Sequence, residues 1–82
     1  MKLSELIKSI DVLQVIGNSD VEVTDIQFDS RRVATGCLFV AQEGTAVDGH
    51  TYIEQCVENG AVAVVLEKEE YIKKNDVCYI LV

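Results

Sequence analysis

The chain has 82 residues, 49% of them hydrophobic, and a formal net charge of -7. That length allows a single domain with a small core, and the apolar share argues against disorder. The acidic balance disfavours nucleic acid and anionic membranes as partners, since both are held by basic patches, and no apolar run is long enough to span a bilayer.

Leu3, Leu6, Ile7 and Ile10 recur at the spacing of an amphipathic helix, with Ser4 as its expected cap. The first residues carry a lysine but no apolar stretch behind it, so no signal peptide is read and a cytoplasmic protein is expected. Residues 11–17 read as a short extended piece ended by a Gly17-Asn18-Ser19-Asp20 turn. Residues 21–28 alternate imperfectly, but their β-branched content predicts a strand. A loop over 30–36 leads into Cys37-Leu38-Phe39-Val40-Ala41, a continuous apolar run typical of a strand buried on both faces. Residues 42–48 form a second loop with Gly44 as its flexible point. Tyr52, Ile53, Cys56 and Val57 mark the inner face of a second helix. Thr51 and Glu54 are spaced as a capping box, with Asp48 a competing cap. Asn59-Gly60 stops that helix, and 61–66 is another apolar strand. Residues 67–74 read as a short charged helix or turn, with Glu67, Glu69 and Glu70 on a solvated face. Asn75-Asp76 breaks it, and 77–82 is the last strand. The alternation predicts an α/β fold: a small layered domain with a mixed, mostly parallel sheet flanked by helices. The apolar ending reads as the edge of a piece taken from a longer protein.

Residues 28–50 carry the chemistry. Ser30 and Arg31 follow a strand and open a loop, which brings a hydroxyl and a guanidinium to the end of the sheet where α/β folds bind ligands. The plainer reading is an Asp29-Ser30 turn with Arg31 on the surface. No basic residue lies between Arg32 and Lys68, so Arg31 and Arg32 are the cationic contacts for any anion. Asp48-Gly49-His50 has the look of an acid–base pair, but no nucleophile completes a triad. A turn and helix start is the preferred reading, with His50 a hydrogen-bonding or surface residue, and no catalytic residue is assigned. Gly36 and Gly44 do not make a P-loop, so ATP is not held by that route. Cys37, Cys56 and Cys78 are widely spaced and the chain has a single histidine. A metal site is therefore not expected, and reduced core cysteines are.

Taken together, Asp29-Ser30-Arg31-x-Val33-x-x-Gly36-x-Leu38-Phe39-Val40-Ala41 and Gly44-x-x-x-Asp48-Gly49-His50, with Ile53, Gly60-Ala61-Val62-Ala63-Val64-Val65 and Glu67, resemble the N-terminal domain of Mur ligases. The branch most resembled adds the third amino acid of the peptidoglycan stem peptide. The resemblance implies that residues 1–82 are the UDP-substrate-binding part of a longer, three-domain, ATP-dependent amide ligase. Its partner would be the uridine end of UDP-N-acetylmuramoyl-dipeptide. ATP and magnesium would bind a second domain and the amino acid a third, so these residues alone would be inactive and hold no cofactor. The resemblance also implies that Ser30 contacts the nucleotide and that Phe28 lines the uracil. Thr45, Ala46 and Val47 would close over the base, partly through backbone groups. Arg31, Asp48 and His50 would support the loops. Cys37 departs from the pattern, standing where an aspartate is common. A domain of this charge would hold uracil and ribose by shape and hydrogen bonds, leaving the diphosphate to basic groups elsewhere. Two alternatives stand beside this one: the branch that adds D-alanyl-D-alanine, and a free-standing interaction module with the same fold.

Overall fold

In the computed structural model, which describes residues 1–44, 46–73 and 76–82, the strands are β1 (Gln14–Ile16), β2 (Asp25–Gln27), β3 (Cys37–Val40), β4 (Ala63–Leu66) and β5 (Cys78–Leu81). They form one sheet in the order β1-β5-β4-β3-β2. β2 to β5 run parallel, and β1 lies antiparallel along the outer side of β5. The helices are α1 (Leu3–Leu6) and α2 (Ile53–Glu58), supplemented by short 3-10 turns. The expected α/β class, with a mixed and mostly parallel sheet, is the observed one.

Register explains why the central strands are apolar throughout. Leu38 pairs with Ala63 and Ala63 with Cys78, while one step on Phe39, Val64 and Tyr79 line up. Successive strand residues point to opposite faces, so the two rows enter two different cores. Phe39, Val64 and Tyr79 join Ile53 and Cys56 of α2 on one face. Leu38, Ala63 and Ile80 join Leu3 and Val23 on the other. Val64, Leu66 and Ile80 are wholly covered. Each contributes about 1.5–3 kcal/mol by leaving water. The three cysteines are free and buried, and burial pushes the Cys56 thiol up to about 11 and the Cys78 thiol upward. Cys37 also accepts a weak bond at Sγ from the Ala34 N–H, 3.4 Å away, filling an acceptor's place in that turn.

Several local expectations change. Ser4 lies inside α1; the cap position is Lys2, whose extended backbone makes no side-chain capping bond. Ile10 is 43% exposed, because the chain turns extended there before the helical pattern can complete its second turn. The strand expected over 21–28 shortens to β2. Residues 21–23 pair instead with the N-terminus, through Leu3 N–H to Val21 O at 2.9 Å and Val23 N–H to Met1 O at 2.6 Å. Thr51 and Glu54 form no capping box. The turn over Gly49–Tyr52 is 3-10 and is capped by Asp48, whose side chain accepts the His50 N–H. That tighter turn changes the phase of the side chains, and Tyr52 leaves the inner face and stands 38% exposed. Residues 67–74 supply one 3-10 turn, Glu69–Tyr71, while Lys74 and Asn75 lie outside the described residues. No helix among the described residues is long and apolar enough to cross a membrane.

Candidate functional site

The loops leaving β2 and β3 separate at the carboxyl end of the sheet and leave a groove of about 560 Å³ between them and the start of α2. Ligands of open α/β sheets bind outside the carboxyl ends of the strands, which is where this groove lies. The volume is within the range of small-molecule sites. Phe39 forms the floor, Phe28 and Tyr52 stand at the sides, and Gln42 and Gln55 add amides.

The first wall is built by local hydrogen bonding. Asp29 caps the 3-10 turn Ser30–Arg32 by accepting the Arg31 N–H at 2.9 Å. The Arg31 side chain returns to the same carboxylate, with Nε at 3.1 Å and Nη2 at 3.0 Å. The Arg31 guanidinium and backbone N–H hold the Asp29 carboxyl down to about 2, and Asp29 in turn raises Arg31. Arg31 thus spends its fork on its own turn while still lining the groove. The Ser30 hydroxyl lines the groove too and has no hydrogen-bond partner among the described residues. Phe28 is 64% exposed, an unusual position for a phenylalanine.

The second wall is formed by residues 42–44 and 46–49, which we call the hairpin for the two backbone bonds that close it. Gly44 donates to Val47 O at 2.9 Å, and Gly49 donates to Gln42 O at 2.8 Å. Gly44 serves by its lack of a side chain more than by flexibility: an added Cβ would meet Val47 O at 2.9 Å, and its backbone is not left-handed. Val47 lines the groove and is half exposed; Ala46 is exposed but does not line it. Thr45, expected to contact the base, lies outside the described residues.

The hairpin is moored from behind. Lys68, just past β4, reaches Asp48 Oδ2 at 2.5 Å and Glu43 Oε2 at 3.2 Å. The Lys68 ammonium, then the His50 N–H, hold the Asp48 carboxyl well below the usual carboxylate range, and Asp48 and Glu43 raise Lys68. His50 is completely buried. Its Nδ1 lies 2.7 Å from Asp48 Oδ1, and its Nε2 accepts the Glu67 N–H at 3.0 Å. Both ring nitrogens are engaged and the ring is not among the groove's lining, so Asp48 and His50 brace the wall and present no free base to it.

Phe28, Ser30, Arg31 and Val47 are therefore brought to one groove. Phe39, Gln42, Tyr52 and Gln55 join them without having been singled out as lining residues from the sequence. An aromatic beside an apolar helical stripe reads as core, and a lone glutamine carries no pattern. Among the described residues no group of three or more His, Cys, Asp or Glu side chains could hold a metal ion.

A family model described as "Mur ligase family, catalytic domain" matches residues 22–81. The "UDP-N-acetylmuramoyl-L-alanyl-D-glutamate--2,6-diaminopimelate ligase" of Parabacteroides distasonis is 50% identical over 68 residues, covering 83% of this chain and 14% of its own length. The protein of the same name from Cytophaga hutchinsonii is 40% identical over 81 residues, covering 99% of this chain and 17% of its own. Among solved structures, MurF from Acinetobacter baumannii superposes with a TM-score of 0.62 at 27% identity, over 73% of this chain and 13% of that one. The chain thus spans about one seventh of the length of these relatives.

Proposed function

Because the chain belongs to the Mur ligase family, we propose that its groove holds the uridine end of a UDP-N-acetylmuramoyl-peptide in a cytoplasmic ligase of peptidoglycan synthesis. The observation that carries this reading is the groove itself. An exposed Phe28 and a partly exposed Tyr52 offer apolar faces to a planar base, and Ser30 offers a hydroxyl with no other partner among the described residues. Gln42, Gln55 and the hairpin backbone supply amide donors and acceptors of the kind a uracil edge needs. The groove has little net charge of its own, since Asp29 and Arg31 cancel, which suits a base and ribose better than a diphosphate.

The whole protein would be an ATP-dependent amide ligase that joins an amino acid to UDP-N-acetylmuramoyl-dipeptide, with ATP and magnesium held by other parts of it. The relatives at 40–50% identity are named for 2,6-diaminopimelate. The D-alanyl-D-alanine-adding reading is supported by a structure at 27% identity and ranks second.

Amide-resolved NMR of the 82-residue chain during addition of UDP tests the proposal. Shifts are expected at residues 28–31, at Val47 and at Gly49, with a Kd on the order of 1 mM. Shifts elsewhere alone, or the same response to ADP, would overturn it.

A further inference from the structure

The His50 ring sits between an acceptor, Asp48 Oδ1, and a donor, the Glu67 N–H, and only one protonation state of the neutral ring satisfies both sides. The Glu67 backbone N–H can only donate, so Nε2 must accept and carries no proton. The ring proton is then on Nδ1 and points at Asp48 Oδ1. Asp48 belongs to the hairpin that walls the groove, and Glu67 follows β4 directly. We propose that His50 is a positioning residue for the groove: in its neutral Nδ1–H form it latches the Asp48 side of the hairpin to the end of β4, and uptake of one proton at Nε2 releases it.

The added proton turns Nε2 from acceptor to donor and sets it against the Glu67 N–H, 3.0 Å away. A partly buried N–H then loses the ring nitrogen that accepts it. The imidazolium keeps Asp48 as a partner, but Lys68 already sits 2.5 Å from that carboxylate, so a second cation meets like charge there. Glu43 flanks Lys68. The Tyr71 ring lies tilted against the imidazole with centroids 5.6 Å apart, and Glu54, Glu70, Lys73 and Tyr79 share with His50 a second cavity of about 300 Å³. Lys73 is paired with Glu54. Asp48 stays ionised, held down by Lys68, so its own titration does not mimic that of the ring. Release of the hairpin moves Gly44, Val47 and Gly49, which line the groove.

The latch is a property of this chain whether or not the groove takes a nucleotide, so its first test omits ligand. Ring-nitrogen NMR of the unliganded chain is expected to find Nε2 unprotonated at neutral pH. On acidification the ring, the Glu67 amide and the Gly44 and Gly49 amides are expected to move together in one step, with amide exchange at Glu67 rising roughly tenfold. A proton found on Nε2 at neutral pH would overturn the proposal. So would a ring that stays neutral until the chain unfolds, or hairpin amides that ignore its titration. H50Q supplies an acceptor for Glu67 without a titrating group. Where it folds, it is expected to keep Glu67 protected and to abolish the step; retention of the step would equally overturn the latch. UDP affinity measured across the same step is a separate reading: its absence together with an intact latch would count against the nucleotide assignment alone.

Discussion

Gly49 donates its backbone N–H to the Gln42 carbonyl at 2.8 Å, and a Cβ added at Gly49 would lie 2.8 Å from that same oxygen. The bond that closes the hairpin is therefore available only because position 49 has no side chain. Gly49→Ala is expected to lower the unfolding free energy by about 1–3 kcal/mol, as overpacking does. The urea midpoint of the variant measures this. An unchanged midpoint would mean the hairpin is looser than its hydrogen bonds imply.

Phe28 separates binding from stability. Its ring is mostly in water, so Phe28→Ala is expected to change stability by less than about 0.5 kcal/mol. If a base stacks on it, UDP affinity is expected to drop by about 1 kcal/mol, roughly fivefold. Equal affinity for wild type and variant would remove Phe28 from the site.

Ser30 and Arg31 are adjacent yet are assigned different work. Ser30→Ala removes a free hydroxyl and is expected to weaken UDP binding about three- to tenfold. Arg31→Ala frees Asp29 and loosens the 3-10 turn, so its effect on affinity is expected to be smaller. NMR titrations of the two variants side by side decide it, and the reverse order would transfer the ligand contact to the guanidinium.

Acid should loosen the first wall in a defined window. The folded Asp29 carboxyl sits at about 2, below its unfolded value near 4. A depressed carboxylate stabilises the fold fully above the unfolded value and loses that contribution as pH falls from about 4 to about 2. Asp48 acts with the same sign, and Lys68, raised by its partners, keeps its contribution until the pH is strongly alkaline. Carboxyl-carbon NMR follows the two aspartates directly. Asp29→Asn is expected to flatten the stability change between about pH 4 and 2.

The thiols should be inert in the folded chain. Cys56 and Cys78 are buried with their thiols pushed toward the neutral form, and it is the thiolate that reacts. Mass spectrometry after iodoacetamide treatment at about pH 8 is expected to find both unmodified until denaturant is added. Rapid labelling in the native state would reveal opening of the α2 face.

The central strands were legible because β3, β4 and β5 are buried on two faces, which writes them as unbroken apolar runs. Asp48 as a cap was legible for the same local reason: its partner, the His50 N–H, is two residues away. What could not be read depends on distant partners. Nothing near Val21 announces that its carbonyl will pair with Leu3, which is why the second strand looked longer than it is. Tyr52 fits an apolar stripe until the 3-10 turn before α2 rotates it outward. The buried His50 finds the donor for its Nε2 in the Glu67 N–H, seventeen residues on, and a single histidine in sequence does not disclose such a partner.

Phe39 belongs at once to the core and to the floor of the groove. The two roles place opposite demands on change. A substitution that reshapes the floor also opens a hole beneath α2, so the floor has little freedom to drift. Phe28 and Val47 touch the groove from its rim and are largely open to water. Variation in what the groove accepts is therefore expected to accumulate along the rim, while the floor remains as invariant as the fold.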